Sequence, residues 1–182
     1  MQDTGIVRRM DELGRVVIPK ELRKTLRIRE GDPLEIYTNK DELIFRKYSP
    51  IASINQYAVA VAEGIENLTE KYCMITDNDT VVYAPRGVAK EVVGKKISPE
   101  MEKAIKERKS LIISKSDGGT VVPVIKGDEV TVENQIIVPI VASGDCYGSV
   151  ILYDKDKATR FNSGDVKFVQ LGASFLAKQF EY

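Results

Sequence analysis

Hydrophobic positions in the first fifty residues come as short runs broken every few residues by charge, turn residues or proline. Gly5–Met10 reads as a strand, Asp11–Gly14 as a turn, and Arg15–Ile18 as a second strand rich in β-branched side chains. Pro19 stops strand pairing and opens a short helix, Lys20–Leu26, with Leu22 and Leu26 on one face. After a Gly31-Asp32 turn, Leu34–Tyr37 and Glu42–Lys47 read as a hairpin around Asn39-Lys40-Asp41. Only about a dozen core-sized side chains lie here, too few to hold a unit of about 50 residues without a disulfide or metal. The pattern therefore predicts dimerisation that merges two half-cores.

The pattern changes after Tyr48. Ser49-Pro50 is the signature of an N-cap followed by proline at the first helical position. Ile51, Ile54, Ala58, Val61, Ile65 and Leu68 then repeat at 3-4-3-4-3 spacing, the seam of a coiled coil or helical bundle. Cys73–Thr76 and Thr80–Ala84 form a predicted hairpin across Asp77-Asn78-Asp79, and Ser98-Pro99 caps a helix reaching about Arg108. Leu111–Ser114, Thr120–Ile125, Gln135–Val141 and Tyr147–Tyr153 are strand candidates between Gly-, Asp- and Ser-rich turns.

A closing helix spans about Gly164 to Phe180, with Asn162 or Ser163 as its cap. It carries two apolar stripes: Val166, Val169, Ala173, Leu176 and Phe180 on one, Phe168, Leu171 and Phe175 on the next. A helix apolar on two sides is buried on two sides. One stripe is expected on a sheet. The other, with Val169, Ala173 and Leu176, is expected to meet the Ile51–Leu68 helix in an intersubunit bundle; the alternative places both stripes in the domain's own core.

Composition narrows the function classes. Of the 182 residues 43% are hydrophobic and 30% charged, which suits packed domains rather than global disorder. No apolar run approaches a membrane span, and Met-Gln-Asp-Thr-Gly opens no signal peptide, so a cytoplasmic protein is expected. Histidine is absent, which removes Ser-His and Cys-His nucleophile pairs and His-containing zinc sites. Cys73 and Cys146 lack metal or redox spacing and read as reduced thiols. No phosphate-cradling glycine loop or calcium loop is present. A non-enzyme without cofactor or metal is the expectation.

Charge supplies the positive signal. Net charge is zero, yet residues 4–29 hold eight basic side chains (Arg8, Arg9, Arg15, Lys20, Arg23, Lys24, Arg27, Arg29) against Asp11, Glu12 and Glu21. Such a patch fits a polyanion, and its arginines suit phosphates and guanine edges. A dimer would set two copies before a two-fold duplex.

Thr4-Gly-Ile-Val-Arg-Arg-x-Asp-x-Leu-Gly-Arg-Val-Val-Ile-Pro-x-Glu-Leu-Arg, followed by Gly-Asp-Pro-Leu-Glu-Ile-Tyr, closely resembles the AbrB-type transition-state regulators of spore-forming bacteria. The resemblance covers about residues 3–48. It implies a swapped-hairpin β-barrel dimer that binds double-stranded DNA through Arg8, Arg15, Arg23 and Lys24. Arg9 and Lys20 join these on charge alone.

The second half resembles a GAF domain in its order of elements. The expected fold class is thus α+β: an AbrB-like swapped-hairpin head (1–48) and an α/β GAF-like module (49–182). The combination implies a homotetramer paired through GAF helices, activating and repressing sporulation genes. Ser114–Gly119 and Gly127–Asn134 are the loops expected to line a ligand site, if the module senses a small ligand. Two rivals stay open. In one, the protein is a GAF-type ligand sensor whose head serves mainly oligomerisation. In the other, the head is an antitoxin whose tail binds a toxin.

Overall fold

The structure, a computed structural model, describes residues 4–127 and 132–181. The chain divides into two compact units at Tyr48/Ser49.

In the first unit, α1 (Lys20–Thr25) follows Pro19, and β1 (Leu34–Asn39) pairs antiparallel with β2 (Glu42–Lys47), from Leu34↔Lys47 to Asn39↔Glu42. The Lys40-Asp41 turn closes the hairpin with Lys40 at φ +50°. Lys47 ties the hairpin to the segment after α1: its Nζ lies 3.0 Å from Asp32 Oδ2 and donates to the Arg27 carbonyl at 3.2 Å. The strands expected at Gly5–Met10 and Arg15–Ile18 are not formed within the single chain, which leaves both segments without a ladder. Among the described residues no strand pairs with either, and β-propensity alone does not hold an isolated strand in water. Among the described residues of this unit, Pro19 alone is buried. Val7 is 88% exposed and Leu43 60%.

The second unit is built on one antiparallel sheet in the order β4-β3-β7-β6-β5. Its strands are β3 (Tyr72–Asp77), β4 (Val81–Tyr83), β5 (Leu111–Ser114), β6 (Asn134–Ala142) and β7 (Asp145–Asp154). The helices are α2 (Pro50–Ser53), α3 (Asn55–Thr69), α4 (Ala89–Val92), α5 (Pro99–Lys106) and α6 (Ser163–Lys178). One apolar cluster joins α3 and α6 to one sheet face through Ile65, Ile75, Ile136, Val150, Leu152 and Leu176. A second joins α4, α5 and the chain around Val124 to the other face through Met74, Ile97, Met101, Ile137 and Ile151. Alternation along β6 and β7 explains the layering: neighbours such as Ile136 and Ile137 point to opposite faces, so both must be apolar.

Three sequence expectations are corrected here. First, no single helix runs from Ile51 to Leu68. The Ser53 hydroxyl donates to the Pro50 carbonyl at 2.6 Å, and the chain turns at Ile54 before α3 begins; such side-chain bonds compete with the helical ladder. Second, Thr120–Ile125 forms no strand apart from an isolated Ile97↔Ile125 bridge. Pro123 lacks a backbone donor, and the buried Gln135 amide takes the place of a strand partner. Its Oε1 accepts Val122 N–H at 2.9 Å and its Nε2 donates to Val122 C=O at 3.0 Å.

The third correction concerns the intersubunit seam. Ile51, Ala58, Ile65, Val169, Ala173 and Leu176 are buried in the module's own core, so they are not available to a second chain. Ile54 and Val61 pack partly against that core, and Leu68 is 65% exposed. The heptad-like spacing registered the sheet-facing stripe, because a helix on a sheet needs an apolar stripe of the same kind as a helix on a helix. The exposed stripe of α6 is the other one: Leu171 is 67% exposed and Phe175 is also exposed, its ring edge-on to Tyr57 at 6.1 Å.

Side-chain ties hold the helices in place. Asn162 and Asp165 form the capping box of α6. Lys71 Nζ lies 3.3 Å from Asp165 Oδ1, a largely buried pair joining the end of α3 to the start of α6. Glu66 on α3 accepts Cys73 N–H at 3.0 Å and the Tyr83 hydroxyl at 3.0 Å. Burial, reinforced by Glu66, pushes the Cys73 thiol well above its ordinary range, which makes it an inert core side chain.

Candidate nucleic-acid interface

A single carboxylate organises the tip of the basic surface. Asp11 Oδ1 accepts Leu13 N–H at 3.0 Å and Arg15 N–H at 2.8 Å, while Arg15 Nε donates to Asp11 Oδ2 at 2.7 Å. The backbone closes the same turn through Asp11 N–H to Arg15 C=O and Gly14 N–H to Asp11 C=O, both 3.0 Å. Gly14 sits at φ +74°, where a side chain would be strained. Arg15 thereby gains a fixed root, although its side chain is still 72% exposed. Hydrogen bonds from Arg15, backbone first and then side chain, hold the Asp11 carboxyl below the ordinary aspartate value of 3.8.

The other expected contacts flank this turn in sequence. Arg8 and Arg9 lie on the extended segment before it, and both are exposed. Lys20, Arg23 and Lys24 fall at i, i+3 and i+4 on α1, so one helix face carries all three. No side chain of α1 is buried, which leaves the helix free of any core role within this chain. Arg27 and Arg29 belong instead to the framework. Arg27 is half-buried at φ +53° and its carbonyl accepts Lys47, while Arg29 N–H donates to Asp32 at 2.8 Å. The organising role of Asp11 was not anticipated from the sequence; Asp11-x-x-Gly14 before a β-branched run is the turn signal that marks it.

Comparison with known proteins gives the chain its relatives. A family model described as "Stage V sporulation protein T C-terminal, transcription factor" matches residues 53–181. Stage V sporulation protein T of Bacillus subtilis (strain 168) is 40% identical over 184 residues, spanning 100% of this chain and 99% of that protein. The chain belongs to the stage V sporulation protein T family.

Within that family the head has relatives of its own. The transition state regulatory protein AbrB of the same organism is 62% identical over 50 residues, or 28% of this chain and 52% of that protein. A second model, for the MazE antitoxins, matches residues 7–53. Antitoxins thus share the head, whereas the sporulation protein matches from end to end. The second unit has the GAF fold. It resembles a GAF domain/HD domain protein from Geobacter sulfurreducens (TM-score 0.53, 12% identity, 69% of this chain and 91% of that one). It also resembles residues 122 to 287 of a methyl-accepting chemotaxis protein (TM-score 0.54, 19% identity, 70% of this chain and 86% of that one). Among the described residues, no helix is long and apolar enough to cross a membrane.

Proposed function

We propose that this protein regulates sporulation genes, activating some and repressing others, as a homo-oligomer whose heads bind double-stranded DNA. Arg8, Arg9, Arg15, Lys20, Arg23 and Lys24 make the contacts. One observation carries the reading: the unit that gathers exposed cations also leaves its apolar side chains exposed within a single chain. Val7, Val17 and Leu43 gain a core when two heads intertwine into a swapped-hairpin barrel, and the same step sets two Arg15 turns on one assembly. Arginines at a rigid turn suit base edges, and the cations around α1 suit phosphates.

Pairing of the second units completes a tetramer. The surface for it is the exposed stripe of Tyr57 and Leu68 on α3 with Leu171 and Phe175 on α6, not the stripe turned toward the sheet. Two tethered heads raise the effective concentration at paired sites without any new contact.

Gel-shift titration of the full chain tests the proposal. With roughly six to ten phosphates neutralised per head, affinity falls about 10³–10⁵-fold between about 50 and 200 mM salt. Arg15→Ala weakens binding while the oligomer mass stays constant. Unchanged affinity in that variant would count against the assignment.

A further inference from the structure

The second unit carries a cleft that DNA binding leaves unused. It encloses about 150 Å³ and is lined by Val88, Glu91, Val92, Lys95, Ile125 and Lys126. It is not formed by the loop Ser114–Gly119, where a 3-10 turn (Lys115–Asp117) folds back through Gly119 N–H to Ser114 C=O. Of the other loop expected beside a ligand, Gly127 lines the cleft and residues 128–131 lie outside the described residues.

Size and lining restrict what fits. At about 30 Å³ per liquid water the cleft equals roughly five waters, below the ~300–1,000 Å³ of sites for drug-sized ligands. That is small for a mononucleotide and suits a molecule of a few heavy atoms. Two valines and an isoleucine offer an apolar floor, and the rim has two ammonium groups against one carboxylate. The field is more positive still, because residues 86–96 hold Arg86, Lys90, Lys95 and Lys96 against Glu91 alone. Lys90, Lys95, Lys96 and Lys126 are all exposed.

The wall bearing Lys95 is wired to the start of the unit. Val81 N–H donates to Lys95 C=O at 3.0 Å and Gly94 N–H to Val81 C=O at 2.8 Å, while Thr80 bridges Lys96. Thr80 N–H in turn donates to Asp77 Oδ1 at 2.6 Å. The other oxygen of this buried carboxylate accepts the Ser49 hydroxyl at 2.5 Å, and Ser49 directly follows Tyr48, the last residue of the head.

We propose that the cleft binds a small carboxylate on a short aliphatic body, and that occupancy is relayed through Thr80, Asp77 and Ser49 to the linker. The carboxylate sits between Lys95 and Lys126, the aliphatic part lies on Val88, Val92 and Ile125, and Glu91 receives an ammonium or hydroxyl of the same molecule. The relay, though not the site, rests on the head being the DNA-binding element. A ligand alters DNA affinity only by favouring one linker arrangement over another.

Methyl NMR titration of the full chain with isovalerate, leucine and inorganic phosphate tests the site. Isovalerate or leucine shifts the Val88, Val92 and Ile125 methyl signals. The double variant Lys95→Gln/Lys126→Gln, altered only at exposed positions, loses about tenfold or more in affinity. Leucine binding more tightly than isovalerate assigns the ammonium to Glu91. Equal shifts by phosphate, no shift by either carboxylate, or undiminished binding by the double variant overturns the site. Gel shifts with and without saturating ligand test the relay: the ligand changes wild-type DNA affinity, and Ser49→Ala keeps ligand binding but loses that response. A wild type that binds DNA equally with and without ligand overturns the relay. A wild type that binds no DNA overturns the proposed function and leaves the NMR result standing.

Discussion

The two units treat their apolar residues in opposite ways. The second keeps Ile75, Ile136, Ile151 and Leu176 almost wholly from water inside one chain. The head keeps only Pro19 buried among its described residues and shows Val7, Leu13, Val17 and Leu43 at the surface. Length explains part of this: a unit of about 50 residues has too much surface for its volume, whereas one of about 130 encloses two clusters around a sheet. Function explains the rest. Under the proposed function, a head whose core forms between chains couples folding to dimerisation, and so offers DNA two basic turns or none. The module behind it encloses its own two apolar clusters and can carry a site that responds to something else.

The contrast is most sharply tested in the cores. Ile151→Ala in the second unit is expected to cost about 2–5 kcal/mol, read as a lower denaturant midpoint independent of protein concentration. Leu43→Ala in the head is expected instead to lower a melting midpoint that rises with protein concentration, as the proposed sharing of its core between chains requires. A concentration-independent melt of the wild-type head would break the comparison.

Next come the helices. A Cβ at Gly172 would stand 2.8 Å from Val61 Cγ1 and 2.9 Å from Ile65 Cδ1, so Gly172→Val is expected to cost about 1–3 kcal/mol through overpacking. Leu171→Glu with Phe175→Ser is expected to leave that stability nearly unchanged and to halve the oligomer mass by light scattering. The opposite pattern would return the intersubunit seam to Val169 and Leu176.

Arg15→Ala is expected to lose about 1–3 kcal/mol of DNA binding, with the salt dependence flattened slightly. The smallest effect concerns Asp11. Its pKa is depressed, so the Asp11–Arg15 turn is fully favoured above the ordinary value of 3.8 and weakens as pH falls through the lower folded value. The Arg15 amide signal is therefore expected to hold its position down to about pH 4 and to move only below it.

Much of this was readable from residue order because the physics is local. Asn162, one of two expected caps, capped α6, β1 and β2 turned within the expected Asn39-Lys40-Asp41, and Leu111–Ser114 formed a strand, since caps, turns and short β-branched runs depend on near neighbours. The break at Ile54 was not readable, because it depends on where the Ser53 hydroxyl settles. Nor was the loss of a strand at Thr120–Ile125, where Gln135, distant in sequence, took over the pairing.

Sequence by itself determined that two unlike units are joined at Tyr48/Ser49, that α3 and α6 each carry an apolar stripe, and that the head concentrates cations around Arg15. Only tertiary structure decided which stripe faces the sheet, which residues close the cleft beside Lys95, and that Asp77 grips Ser49. The reason is periodicity: a repeat of 3.6 residues says that a helix has a buried side but not what buries it, and contacts between distant segments leave no local trace.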